Sequence, residues 1–223
     1  MEHRADVSNS TLQERIAALL ERDIVEGRVA PGQRLLQNEL ASRFNVSHIP
    51  VREALRTLGA RGLVDISPQR GARAAAFSAE EIHDILEVRI LLETAALKAA
   101  IPRLERSDFV ALAQAIRYID IERDPARWPA LNRAFHMALY RPAKRPALLR
   151  LIAQLHDDPR CARVAHIITS DRRKSNLEHQ SLVDAARRGA ITEAAALLRS
   201  HIDIQTKKLN MRLALMERGV GRK

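Results

Sequence analysis

The chain has 223 residues, of which 46% are hydrophobic, and this excludes a disordered or fibrous protein because such a chain can bury a core for one large domain or two modest ones. No apolar run approaches the roughly 20 residues that span a bilayer and the start resembles no signal peptide, so we expect a cytoplasmic protein. The single cysteine, Cys161, excludes a disulfide framework and a CxxC-type zinc site. The net charge of +10 suggests a polyanionic partner such as nucleic acid, but residues 1–76 hold 11 basic against 9 acidic side chains, so charge does not locate a DNA-binding face.

The first third of the chain predicts a small unit of helices and a hairpin. Apolar residues at helical spacing predict helices at about 11–27, 37–44 and 48–61. Residues 63–77 contain two short apolar runs around a Pro and a Gly, which favours a β-hairpin. We therefore expect one compact unit at 11–77, preceded by a flexible N-terminus at 1–10.

A second unit begins after Phe77. Ser78 stands three residues before Glu81, which is the pattern of a capping box that opens a helix. The rest of the chain predicts only helices, at about 79–101, 107–121, 127–140, 146–156, 160–187 and 191–216. We expect an all-α helical bundle at 78–216, followed by a flexible basic tail at 217–223.

Two short helices before the hairpin have the pattern of a helix-turn-helix. Their apolar faces are formed by Leu40, Ala41 and Phe44 and by Val51, Leu55 and Leu58. Ser47 suits the N-cap of the second helix, and Pro50 suits its first turn. The second helix would turn four side chains outward: His48, Ile49, Arg52 and Arg56. Because such a helix meets base edges in the major groove, Arg52 is the leading base-contact candidate; an ordinary surface pair with Glu53 or Glu39, or solvation, is the alternative.

The segment NELASRFNVSHIPVREALRTLGARGLVDISPQRGA resembles the DNA-binding domain of the GntR family of regulators, and the likeness covers about residues 11–76. The resemblance implies a mostly α protein whose N-terminal winged helix-turn-helix reads operator DNA through four residues: Asn38, His48, Arg52 and Arg70. Asn38 and His48 stand where Arg is frequent in the family, so the preferred operator can differ from that of relatives. Weaker candidates for phosphate contacts are Arg34, Ser47 and Arg73. Arg56 is a further, weaker candidate for a DNA contact.

Three of the eight histidines lie within apolar helical stripes: His136, His179 and His201. Asn132 stands four residues before His136, so the two side chains share a helix face. Burying three imidazoles without partners is costly, and a divalent metal held between helices would satisfy all of them. By spacing alone, ordinary hydrogen-bonded core histidines are the alternative.

Residues 78–216 resemble the FCD-type effector domain of the FadR branch of GntR regulators, which carries Asp/Asn-x-x-x-His, then one His, then another about 22 residues later. The resemblance implies a divalent metal, zinc first and nickel or manganese next, at Asn132, His136, His179 and His201. Relatives often carry Asp where this chain has Asn132, and a neutral amide is the weaker ligand. Three alternatives therefore remain: the metal binds with lower affinity, the metal binds without Asn132, or the histidines line a metal-free cavity.

Arg89 and Glu93 stand near the centre of an apolar stripe, where an Arg requires an anion. One interpretation is an internal pair at i,i+4 spacing. The other comes from the resembling family, in which an Arg at this place helps to bind an organic acid. The resulting hypothesis is a small carboxylate effector that bridges Arg89 and the metal.

Two functions compete on these features. The first is a homodimeric transcriptional regulator that binds a near-palindromic operator. The second is a metal-dependent enzyme with an accessory DNA-binding domain, because three His and an open position also describe a catalytic site. The only acidic residue next to the His stripes is Glu178, which the spacing turns away from them, so a general acid or base is missing and the regulator is favoured. Dispersed charge disfavours a nonspecific nucleic-acid packaging protein.

Overall fold

The structure is a computed structural model that describes residues 11–76, 78–124, 127–158, 160–161 and 172–203. The expected flexible segments at 1–10 and 217–223, and the predicted helical residues 162–171 and 204–216, lie outside the described residues. The chain divides into two compact units, Met1–Phe77 and Ser78–Lys223. Within the described ranges, no helix combines the length and apolarity needed to cross a membrane.

The first unit is a winged helix-turn-helix, as predicted. Its elements are α1 (Leu12–Val25), α2 (Gln37–Phe44), α3 (His48–Ala60), β1 (Val64–Ser67) and β2 (Gly71–Ala74). The two strands pair antiparallel, from Val64 opposite Ala74 to Ser67 opposite Gly71. Helix α3 packs against α1, α2 and β1, and its other face exposes His48, Ile49, Arg52 and Arg56.

Local signals set the helix ends of this unit. Thr11 and Glu14 form a capping box at the start of α1. Asn45 ends α2 in the left-handed region, with φ 53°, where Asn is tolerated better than most residues. Ser47 occupies the predicted N-cap position of α3, although its side chain makes no capping hydrogen bond. The residue itself is exposed.

The first unit has its own apolar core, with contributions from Leu20, Ile24, Leu40, Val51, Leu55, Leu58, Leu63 and Val64. Asp23 is also buried, at 4% exposure. Its carboxylate accepts hydrogen bonds from Nε of Arg28 and Nη2 of Arg43, both at 2.6 Å. Asp23 therefore ties the end of α1 to α2 through charge.

The second unit is a helical bundle, again as predicted. Its elements are α4 (Ala79–Ala100), α5 (Arg106–Ile121), α6 (Trp128–Tyr140), α7 (Pro146–His156), α8 (Arg172–Arg187) and α9 (191–203), with 3-10 turns at Ile101–Arg103 and Arg141–Ala143. The predicted capping box opens α4, because the Glu81 amide donates to Oγ of Ser78 at 3.1 Å. Helix α4 packs on α6 and α7, and α5 packs on α6 and α8. The largest fully buried side chains of the unit lie on α6: Trp128, Phe135 and Tyr140.

Candidate DNA-reading face and candidate metal centre

The outward face of α3 carries two arginines and an exposed apolar residue. The side chains of Arg52 and Arg56 are 59% and 71% exposed, and Ile49 is 64% exposed. The predicted pair with Glu53 exists, but Nε of Arg52 and Nη1 of Arg56 each lie 3.6 Å from Oε1 of Glu53. That separation is too long for a hydrogen bond, so neither guanidinium is held in place.

A groove of about 460 Å³ runs between α3 and the hairpin. Its lining comprises Gln37, Arg52, Leu55, Arg56, Ile66, Ser67, Gly71 and Ala72. Gln37 was not among the predicted DNA-contacting residues. Gln37 is the first residue of α2 and directly precedes Asn38, and this adjacency to a predicted contact is the sequence signal that could have identified it.

The other predicted DNA contacts differ in how accessible they are. Arg34, Asn38, Ser47, His48 and Arg70 are exposed. Arg73 is half-buried, and its Nη1 donates to the carbonyl of Gly32 at 2.8 Å, so part of its guanidinium supports the wing. Contact of all these residues with DNA stays a prediction.

Three helices of the second unit bring His136, His179 and His201 together. One ring nitrogen from each lies within 4.8 Å of the others, and the three side chains are buried. The ring centroids are 5.2 Å apart for His136 and His179 and 4.9 Å apart for His179 and His201. The sequence-predicted set therefore converges from α6, α8 and α9, and it can hold a metal ion.

Several polar atoms of this cluster are buried without a hydrogen-bond partner: Nε2 of His136, both ring nitrogens of His179, and Oδ1 of Asn132. Burial lowers the pKa of His136 and His179 well below the usual 6.5, so both rings are neutral. A neutral ring with a free lone pair is the form that binds a metal. Because orphaned buried polar atoms are costly, the donor set fits a bound cation better than it fits ordinary core histidines.

Two of the histidines are oriented by neighbouring side chains. Nδ1 of His136 lies 3.2 Å from the hydroxyl of Tyr140, and Nδ1 of His201 lies 2.7 Å from Oε2 of Glu178. The expectation that Glu178 points away from the histidines is therefore wrong, because α8 and α9 pair so that Glu178 faces His201. Such partners are typical of metal-binding histidines, in which one nitrogen is hydrogen-bonded and the other is offered to the ion.

Arg89 and Glu93 form the internal pair that the sequence left open. Nε of Arg89 donates to Oε1 of Glu93 at 2.7 Å, and both side chains are buried. Burial alone would raise the pKa of Glu93, but Arg89 and then His156 hold it well below the usual 4.5. His156, whose Nε2 lies 3.2 Å from Oε1 of Glu93, was missed from the sequence because its single position on α7 gives no pairing signal.

Comparisons with known proteins agree with this architecture. Residues 12–73 match the family described as "Bacterial regulatory proteins, gntR family", and residues 84–204 match the FCD domain. The chain belongs to the GntR family. As a GntR regulator with an FCD domain, it is a DNA-binding transcriptional regulator.

Proteins similar to this chain are also named as transcriptional regulators. The chain is 32% identical to the "Uncharacterized HTH-type transcriptional regulator BphR" of Paraburkholderia xenovorans (strain LB400), over 82% of this chain and 79% of that protein. It is 36% identical to the "HTH-type transcriptional repressor RspR" of Escherichia coli (strain K12), over half of each chain. A solved GntR family regulator from Pseudomonas syringae pv. tomato is 30% identical and superposes with a TM-score of 0.56, covering 93% of this chain and 88% of that one. These GntR relatives are named as regulators and not as enzymes.

Proposed function

We propose that this GntR regulator senses a small organic acid at a metal ion in its second unit, and that the acid changes the affinity of the first unit for operator DNA. The observation that carries the proposal is the convergence of three buried histidines whose nitrogens include several without partners. A regulator of this kind acts in the cytoplasm, where its operator lies.

His136, His179 and His201 would hold the ion, with Asn132 as a fourth, oxygen donor. Imidazole suits zinc first and nickel next, and the oxygen of Asn132 keeps manganese as a third candidate. When bound, the ion supplies a positively charged coordination position for an oxygen of an anionic ligand.

Arg89 is the proposed second anchor for the acid, with Glu93 beside it. Glu93 connects this arginine to the histidines, because its carboxylate also accepts the hydroxyl hydrogen of Tyr140, the partner of His136. A guanidinium has five N–H donors, so Arg89 can serve Glu93 and a ligand carboxylate together. A small carboxylate fits a site that combines a cation-binding cluster with a buried arginine.

The DNA side of the proposal assigns base contacts to Asn38, His48, Arg52 and Arg70 and supporting contacts to Arg34, Ser47, Arg56 and Arg73. Ile49, at the start of α3, offers an apolar contact for a thymine methyl group. We also propose that the regulator is a homodimer, because a near-palindromic operator presents two equivalent half-sites to two recognition helices.

Calorimetry on the zinc-loaded chain tests the sensing proposal with a panel of small mono-, di- and tricarboxylates. We expect one class to bind, to lose at least tenfold in affinity in Arg89→Ala, and to change the anisotropy of labelled DNA from the native upstream region. His136→Ala removes a candidate metal ligand and should weaken carboxylate binding. His83→Ala is its matched control, because His83 is an exposed histidine paired with Glu87 at 3.3 Å, outside the cluster. Failure of every carboxylate to bind, or binding that both His136→Ala and Arg89→Ala leave unchanged, overturns the proposal.

A further inference from the structure

Helix α4 has a second apolar face, which no described element covers. Its buried face carries Ile82, Ile85, Leu86 and Ile90. The opposite side exposes Leu91 at 65% and Val88 at 37%, with the half-buried Ala95 next in line. An exposed leucine and valine aligned on one helix face suggest a contact surface, whereas isolated exposed apolar residues need no explanation.

The spacing of this face is that of a two-helix seam. Positions 84, 88, 91, 95 and 98 follow one another at intervals of four, three, four and three residues. That alternation keeps all five side chains on one face and is the pattern of helices that pack side by side along their length. We refer to Asp84, Val88, Leu91, Ala95 and Lys98 as the α4 seam.

The charges of the α4 seam are arranged symmetrically. Asp84 and Lys98 are both exposed, and each lies seven residues from Leu91, on opposite sides. Among the described residues neither side chain forms an ion pair. If a second copy of α4 packs antiparallel with Leu91 at the two-fold axis, Asp84 of each copy faces Lys98 of the other. Parallel packing would instead place like charges together, so the charges select the antiparallel arrangement.

We propose that two copies of this chain associate through an antiparallel, two-fold symmetric contact of their α4 seams, with Leu91 against Leu91 at the centre. The inference rests on the homodimer of the proposed function and identifies its surface. A self-complementary surface is what a two-fold contact requires. Leu91 contributes the apolar contact, while the rim charges contribute orientation more than affinity.

The same helix links this surface to the candidate sensing site. Arg89 and Glu93 lie on the buried side of α4, on either side of Leu91 in the sequence. A ligand that displaces Arg89 would therefore act on the helix that forms the contact between copies.

The first test is the size of the full chain in solution, measured by sedimentation velocity. We expect the wild type to be a dimer and Leu91→Asp to raise the dimer dissociation constant on the order of tenfold or more, because the charge is placed at the centre of the contact. Leu177→Asp is the matched control, since Leu177 is 69% exposed on α8, a helix that does not carry the seam, and should leave the dimer intact. A monomeric wild type, or a Leu91→Asp chain that dimerises normally, overturns the inference.

The second test uses charge reversal, which does not depend on the burial of any residue. Asp84→Lys gives a seam with two positive ends, and Lys98→Asp gives one with two negative ends. We expect each variant alone to dimerise more weakly and an equimolar mixture to recover mixed dimers. If mixing recovers nothing, the antiparallel seam is wrong. Zinc titration of the same variants tests the sensing proposal separately, because no seam residue belongs to the histidine cluster. Variants that bind zinc and dimerise like the wild type would overturn the seam proposal and leave the sensing proposal standing.

Discussion

The hydroxyl of Tyr140 donates a hydrogen bond to Oε2 of Glu93 at 2.8 Å, and its oxygen lies 3.2 Å from Nδ1 of His136. Because the hydroxyl hydrogen goes to Glu93, the oxygen accepts the hydrogen of Nδ1. That arrangement leaves the lone pair of His136 on Nε2, the atom that has no partner. Tyr140 therefore sets which nitrogen the candidate metal centre receives, and it connects that centre to the Arg89–Glu93 pair on α4.

Replacing Tyr140 by Phe should weaken zinc binding without removing any ligand. The loss of the hydroxyl frees the ring of His136 to rotate and to change tautomer, and partners of this kind are worth about 10- to 100-fold in metal affinity. Competition with a chromophoric chelator measures the effect. Tyr118→Phe is the matched control, because Tyr118 is 59% exposed on α5. Equal zinc affinity in the two variants would mean that Tyr140 has only a packing role.

Replacing Asn132 by Asp should strengthen zinc binding if Asn132 is a ligand. A carboxylate is a better oxygen donor than an amide and adds a negative charge beside the cation. The chelator competition should show tighter binding for Asn132→Asp and weaker binding for Asn132→Leu. If neither substitution changes the affinity, Asn132 does not contact the ion and the site consists of three histidines.

Much of the fold could be predicted because its signals are local. The capping box of Ser78 and Glu81 starts α4 where the sequence places it, and the predicted helix 37–44 has the bounds found for α2. The turn at Asn45 and the short hairpin likewise depend on residues within a few positions of each other. Patterns of this kind act before tertiary packing, so a single sequence shows them.

The candidate site was predictable only in part. The three histidines can be identified from the sequence because each interrupts an apolar helical stripe. The partners of these histidines give no such signal: Glu178 reaches His201 across 23 positions, and His156 reaches Glu93 across 63. These contacts depend on how α7, α8 and α9 are placed, which periodicity within one helix does not specify.

Arg52→Ala should weaken operator binding by about 1–3 kcal/mol and relax the preference for one base pair, because a bidentate Arg–guanine contact is lost. Fluorescence anisotropy with the native upstream DNA and with single-base variants measures both effects. Arg117→Ala removes the same charge from the exposed face of α5 and serves as the control. A uniform loss for all sequences would reassign Arg52 to a phosphate contact.

Ile49 should contribute to recognition through a thymine methyl group. Ile49→Ala should weaken binding to the operator about three- to tenfold, which is the value of a small buried apolar contact. Uracil lacks the methyl group, so replacing the contacted thymine by uracil should weaken the wild type and leave Ile49→Ala unaffected. Uracil scanned through every thymine of an operator selected in vitro locates the position. If the two losses simply add at all positions, Ile49 does not read a methyl group.

Asp23 should stabilise the first unit in a pH-dependent way. Burial alone would raise its pKa, but hydrogen bonds from Arg43 and Arg28 hold it below the usual 3.8. A carboxyl whose pKa is lower in the folded state contributes stability above its unfolded value, and that contribution is lost as the pH falls through the folded value. Asp23→Asn should therefore destabilise the unit by roughly 1–3 kcal/mol near neutral pH and by less below about pH 4.

Hydrogen exchange of the α1 amides, corrected for the intrinsic effect of pH, measures this local stability in the full chain. Asp65→Asn is the control, since Asp65 is an exposed acid on β1 and should change exchange at α1 little at any pH. A difference between wild type and Asp23→Asn that stays constant from neutral to acid would show that the asparagine acts through packing. A difference that shrinks with acid, together with a silent control, would assign the stabilisation to the charge of Asp23 and its two arginines.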